Sequence, residues 1–223
     1  MTEKVLVVAA HADDEALGCG GTIARHVAEG SSVHLVIMAD GVSSRPKVES
    51  ADAGSRMDAA REAQKILGIA GITPFELPDN QMDSFPFLEI VRILERLIDE
   101  LSPTLIYTHH HGDLNIDHRI TNQAVLTACR PVPNHCVREI REFEVLSSTE
   151  WSFSSQPVFV PNVFIDITGY LDTKLAALAA YEAEMRPSPH SRSLLHAEAL
   201  ARHRGYSVGF AAAEAFMLTR AVY

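Results

Sequence analysis

Cysteine is scarce in this 223-residue chain: Cys19, Cys129 and Cys136 are the only three. An odd number at wide spacing makes no disulfide framework and suits a reducing compartment. Long hydrophobic runs are lacking as well. The opening run, Val5–Ala10, spans six residues and stops at His11. That is short for the apolar core of a signal peptide and far short of the roughly 20 residues of a spanning helix. These absences predict a soluble, cytoplasmic protein without membrane insertion. Positive charge is in deficit, with 19 Lys and Arg against 29 Asp and Glu and a formal net charge of -10. That balance argues against nucleic acid or an anionic membrane as a partner. No repeat, low-complexity tract or long linker interrupts the chain, so one domain over residues 1–223 is expected. A chain of this size hides about 70% of its unfolded surface and needs no staples to fold.

Two kinds of segment alternate. Short β-branched runs read as buried strands at Val5–Ala10, Val33–Ala39, Thr104–Thr108 and Val163–Thr168. Helical periodicity lies between them. Phe87, Ile90, Val91, Leu94, Leu97, Ile98 and Leu101 recur at three- and four-residue steps. Further helices are expected at 51–67, closed by Gly68, at 117–129, stopped by Pro131, and from Leu171 to Glu182. Strand followed by helix predicts an α/β fold: a single Rossmann-like domain with a mostly parallel sheet and helices on both faces. Residues 130–161 carry four prolines and a strand-like piece at 142–146, which predicts a wrap around the sheet edge or a loop-rich cap. Chemistry in such folds sits beyond the carboxyl ends of the strands.

Eleven histidines are present, and they cluster at two such ends. After the first strand comes His11-Ala12-Asp13-Asp14-Glu15, one imidazole and three carboxylates in five residues. Like charges this close conflict unless a cation joins them. His11 and Asp14, three apart, converge if the chain turns into a helix here, leaving Asp13 free as a base. After a later strand comes His109-His110-His111, followed by Asp113, Asn115, Asp117 and His118. A ligating histidine wants a carboxylate or carbonyl on its other nitrogen, and Asp117 is a weak candidate for that role. Together the clusters offer His, Asp and His plus spare acids, the pattern of a catalytic zinc with one open position.

Ala10-His11-Ala12-Asp13-Asp14-Glu15 resembles the AHPDDE motif of the PIG-L (LmbE-like) zinc-dependent N-acetylglucosaminyl deacetylases. Asn115-Ile116-Asp117-His118 is similar to that family's HPDH or HxDH motif, in the same order and about 100 residues later. The resemblance implies Zn2+ as cofactor, with His11, Asp14 and His118 as its ligands and Asp13 as general base. It implies substrate contacts from Arg56 and Asp79, and a small N-acetylated sugar or sugar conjugate as substrate. Two departures stand out. Ala12 replaces a proline, and Asn115 replaces a histidine that stabilises the oxyanion or protonates the leaving amine. An amide donates a hydrogen bond but transfers no proton. Asn115 and Asp117 therefore stay among the catalytic candidates, and the acid is open to His110, His111, His190 or a protonated Asp13. His190 lies in Pro187–Ser193, which is similar to a late segment in a bacterial branch of the family.

Three other readings compete. A strand, then Gly18, Gly20 and Gly21, then Asp40 fits a nucleotide-binding Rossmann domain, although seven residues separate the strand from the glycines. His11-x-Asp13 with a distant histidine fits a non-haem iron triad. Asn115 leaves open an inactive sugar-binding relative. The sequence does not fix the oligomeric state and allows a homo-oligomer.

Overall fold

The computed structural model describes residues 3–41, 43, 50–153 and 156–223. Seven strands make one sheet: β1 (Lys4–Ala9), β2 (Ser32–Ala39), β3 (Gly71–Leu77), β4 (Leu105–His109), β5 (Glu139–Phe143), β6 (Val163–Asp166) and β7 (Ala213–Ala221). Their order is β3-β2-β1-β4-β5-β7-β6. The first five in that order run parallel. β7 is antiparallel to both β5 and β6. Six helices connect them: α1 (Asp14–Ala28), α2 (Ser50–Leu67), α3 (Phe87–Leu101), α4 (Ile116–Ala128), α5 (Leu171–Ala180) and α6 (Leu194–Tyr206).

Alternation along the strands divides the core. Val5, Val7, Leu35, Ile37, Tyr107 and Phe143 face α1, α2, α5 and α6. Leu6, Val8, Val36, Met38, Ile106 and Ile140 face α3 and α4. A sheet covered on both sides explains why β1 and β2 read as continuous apolar runs. In α3 the periodic residues Ile90, Val91, Leu94 and Ile98 are the buried ones.

The expected parallel sheet is present, but its second half differs. The strand in 130–161 is β5, which overlaps the expected piece at residues 142–143 alone, and it lies inside the sheet between β4 and β7 rather than capping an edge. It is five residues long. The run after Val163 is a short, half-buried edge strand that pairs antiparallel with β7 and so runs in the same direction as β1–β5, leaving β7 as the reversed strand. β3 carries Pro74, which an edge position tolerates. α6 packs through a stripe of small residues, Ala197, Ala201 and Gly205, which gives no strong apolar period. A Cβ on Gly205 would fall 2.7 Å from the Ala212 backbone.

Helix α1 breaks at Cys19, whose φ of -147° is not helical. The Gly18 site sits against Phe143, where a Cβ would come within 2.3 Å of the ring. Beyond the break, the amides of Gly21 and Thr22 donate to the buried carboxylate of Glu214 at 3.0 and 2.6 Å. Lys174 pairs with that carboxylate at 2.5 Å and also donates to the Leu17 carbonyl. The strand β7 thereby caps the second half of α1. No helix among the described residues is long and apolar enough to cross a membrane.

Candidate active site

The sheet reverses its direction of winding between β1 and β4, and a crevice opens beyond their carboxyl ends. The loop after β1 delivers His11, Asp13 and Asp14. The first turn of α4, after β4, delivers His118. Asp13 stands at the N-cap of α1 with φ 110°, in the left-handed region that non-glycine residues avoid. Such strain is often held at working sites, and here it points neighbouring carboxylates in different directions.

The Nδ1 atom of His11, the Oδ2 atom of Asp14 and the Nε2 atom of His118 form a triangle with sides of 3.3, 3.3 and 3.4 Å. All three residues are buried. Donors bound to a tetrahedral zinc at 2.0–2.1 Å stand about 3.3–3.4 Å apart. The triangle therefore fits such an ion without movement, and the donor set, two imidazoles and a carboxylate, suits it chemically.

Carboxylates hold the far side of each ring. His11 Nε2 lies 3.0 Å from Asp79 and 3.1 Å from Asp117. His118 Nδ1 lies 3.1 Å from Asp113. Asp113 also accepts hydrogen bonds from Ser148 and Thr149. Asp117 accepts from the amides of Asn80 at 2.6 Å and Met82 at 3.1 Å. These contacts fix ring orientation and basicity, as outer carboxylates do at metal sites. Burial opposes charge on His118, but Asp14 and Asp113 outweigh it and raise its pKa to about 9. Burial likewise opposes charge on His11, which Asp117, Asp14 and Asp79 raise well above the usual range.

Asp13 is held separately. Arg192 donates to its Oδ2 at 2.9 Å, and Arg56 lies 3.5 Å from Oδ1. Arg56 also donates to the Ala12 carbonyl and pairs with Glu184. Burial raises the Asp13 pKa, and the two arginines pull against it. Beside the triangle, the Asn115 side-chain oxygen caps α4 through the Asp117 amide at 2.8 Å, and the residue lines the cleft. The cleft holds about 430 Å3, and Asn80, Ser147, Trp151 and Arg192 complete its wall.

Several expectations change here. Asp117 and Asp79 both lie against the outer nitrogen of His11, a placement the sequence did not anticipate. His110 is turned away from the cleft. Its Nδ1 meets Glu142 at 3.1 Å and its Nε2 meets the Pro157 carbonyl at 2.9 Å. His111 also binds Glu142, at 2.7 Å. His190 stands exposed, edge-on to the Trp151 ring with centroids 5.9 Å apart. The His11-x-Asp13 spelling of an iron triad is not the one the structure assembles, since Asp14, not Asp13, completes the donor triangle. The nucleotide reading loses support at the glycine cluster: the amides of Gly21 and Thr22 are taken by Glu214 where a phosphate would bind. Arg192 and Asp113 had no assigned role from sequence. For Asp113 the signal was an acid five residues before a ligand. For Arg192 there was none beyond the late proline-bounded segment.

An α/β fold with a His/Asp/His donor triangle and an adjacent carboxylate at the switch point defines a candidate metal-assisted hydrolase. Comparison with known proteins sharpens this. The model of the PIG-L family, described as GlcNAc-PI de-N-acetylase, matches residues 6–129, and the chain belongs to that family. An uncharacterized deacetylase, YaiS, of Escherichia coli is 29% identical over 185 residues, covering 80% of this chain and 90% of that protein. A 1D-myo-inositol 2-acetamido-2-deoxy-alpha-D-glucopyranoside deacetylase of Mycobacteroides abscessus is 29% identical over 238 residues, covering 86% and 85%. A 4-oxalmesaconate hydratase of Pseudomonas putida is 27% identical over 203 residues, covering 79% and 72%. The fold is shared with N,N'-diacetylchitobiose deacetylase from Pyrococcus horikoshii, at a TM-score of 0.79 and 20% identity over 98% of this chain and 84% of that one.

Proposed function

We propose that the protein is a zinc-dependent N-deacetylase that releases acetate from an N-acetyl amino sugar or its conjugate. The donor triangle, lying beside a separately held carboxylate, carries this reading. His11, Asp14 and His118 would hold the ion. When bound, such an ion supplies a water acidic enough to ionise near pH 7 and a positive charge against the amide carbonyl.

The remaining steps belong to side chains. Asp13 takes a proton from the attacking water. Arg56 and Arg192 keep its carboxylate aimed and ionised beforehand. The Asn115 NH2 donates to the oxyanion developing at the acyl carbon. The departing amine needs a proton, and His110 and His190 do not line the cleft. Burial makes Asp13 a better proton holder than an ordinary carboxylate. Asp13 therefore returns the proton it took, serving as base and then acid.

A hydratase acting on a carboxylate-rich substrate would need uncommitted cations. The two arginines in the wall are already engaged by Asp13 and Glu184, which favours a neutral substrate. The test is acetate release from N-acetylglucosamine, N,N'-diacetylchitobiose and an N-acetylglucosaminyl inositol, with added zinc and with chelator. Release that chelator abolishes and zinc restores is expected. No release from any of the three, with zinc present, overturns the proposal.

A further inference from the structure

The chain has one tryptophan, Trp151, and it stands in the wall of the cleft with 39% of its surface exposed. A large half-exposed aromatic ring facing a polar site invites an explanation beyond packing. Its surroundings fix its place firmly. The turn that carries it is bracketed by Ser147 at φ 67° and Phe153 at φ 44°, two non-glycine residues in the left-handed region. Inside the turn, Ser148 and Thr149 both donate to Asp113, the carboxylate that also faces His118. The position of Trp151 is thus bolted to the partner of a candidate metal ligand.

A second segment, remote in sequence, closes on the same turn. Arg192 donates through Nε to the Ser147 hydroxyl at 3.0 Å while its Nη1 reaches Asp13. Glu150 accepts from the Ser147 amide at 2.7 Å and from the Ser191 hydroxyl. The Arg192 amide donates to Nδ1 of His190, whose ring meets Trp151 edge-on. Neither of these two segments, the Ser147–Phe153 turn and the 190–192 stretch, lies in residues 6–129, the part matched by the family model. The candidate metal ligands and the base all lie within it.

We propose that Trp151 is a specificity-determining residue, the platform on which the apolar face of a neutral N-acetylhexosamine ring stacks while its acyl group points to the donor triangle. This rests on the deacetylase reading and names the substrate side of it. A pyranose presents axial C–H groups on one face, and an aromatic ring is the side chain that matches such a face. The ring is neutral in this proposal because Arg56 and Arg192 already answer Asp13 and Glu184. Among the described residues of the cleft, a phosphate or carboxylate on the sugar meets no arginine that is not already paired.

Because the tryptophan is unique, its emission reports the cleft directly. The zinc-loaded wild-type protein, which keeps Asp13 paired with Arg56 and Arg192, is mixed rapidly with N-acetylglucosamine, N,N'-diacetylchitobiose and N-acetylglucosamine 6-phosphate, and its emission is read before turnover. A saturable change in emission with the neutral sugars is expected, with no tightening from the phosphate. In parallel, Trp151→Ala should raise KM on the order of tenfold or more, as loss of an aromatic anchor does, with kcat within about threefold. Trp151→Phe should recover much of the loss. An unchanged KM in Trp151→Ala, with wild type releasing acetate, overturns the platform and leaves the deacetylase reading standing. Tenfold tighter binding of the phosphate overturns the neutral-sugar assignment. Saturable quenching without acetate release keeps the platform and removes the deacetylase reading. Neither quenching nor acetate release removes both.

Discussion

Two clusters in this protein each combine two histidines with one carboxylate, yet they are chemically opposite. In His11, Asp14 and His118, two ring nitrogens face each other at 3.4 Å. Between two such nitrogens there must be a proton or a cation. In His110, His111 and Glu142, both rings face the carboxylate instead, at 3.1 and 2.7 Å. The other Glu142 oxygen accepts from Asn122 and Thr219. Both partners of His110, a carboxylate and a carbonyl, are acceptors only, so its ring carries both protons and is an imidazolium. Composition alone would name both clusters metal sites. The direction in which donors and acceptors face distinguishes a centre that calls for a cation from one that already contains its charge balance.

The comparison can be broken most sharply at Asp13. Asp13→Asn should lower kcat by about 10^2–10^4-fold while zinc content stays at wild-type level, measured by acetate release and metal analysis. Undiminished turnover would remove the base. His118→Ala should abolish zinc retention after dialysis, whereas His111→Ala should leave it unchanged. A loss of metal in the second variant would erase the distinction between the clusters. Asp113→Asn tests the support behind the centre and should weaken zinc affinity about 10–100-fold by competition with a chromophoric chelator.

Breaking the second cluster should cost stability and spare the metal. Glu142→Gln leaves a buried imidazolium without its counter-charge and should destabilise by about 3 kcal/mol in urea unfolding. The pH dependence has a defined sign. Burial disfavours the Glu142 carboxylate, but His110 and His111 outweigh it and lower its pKa to about 2. Its stabilisation is present above the unfolded value near 4.5 and fades as pH falls toward 2. Burial also opposes charge on His110, and Glu142 and the Pro157 carbonyl raise its pKa above the usual 6.5. That contribution is full below 6.5 and is lost as pH rises through the folded value. Wild type should therefore lose urea stability on both flanks of about pH 4.5–6.5, and the alkaline loss should shrink in Glu142→Gln to the part that His11 and His118 contribute in the metal-free protein. A stability curve unchanged by the substitution would contradict the ion pair.

Much of this was legible in the sequence, and the boundary of legibility has a cause. β1, β2, α3 and the run into α4 announced themselves because burial on both sheet faces, or on one helix stripe, leaves a local period. β7 and α6 did not. β7 reads AEAFMLTRA, rich in helix formers, and becomes a strand because it fits between β5 and β6. The motif residues His11, Asp13, Asp14 and His118 were visible because each cluster is contiguous and ends a strand.

What the chain spells locally is therefore the donor set and the elements that carry it. What only the tertiary structure decided is which acid stands behind which histidine, and which arginine holds Asp13. Asp117 was expected beside His118, its sequence neighbour, yet it serves His11, 106 residues away. Arg192 reaches Asp13 across 179 residues. Such pairings follow from strand order and from the loops that strand order brings over one crevice. Those are long-range properties, and no window of sequence contains them.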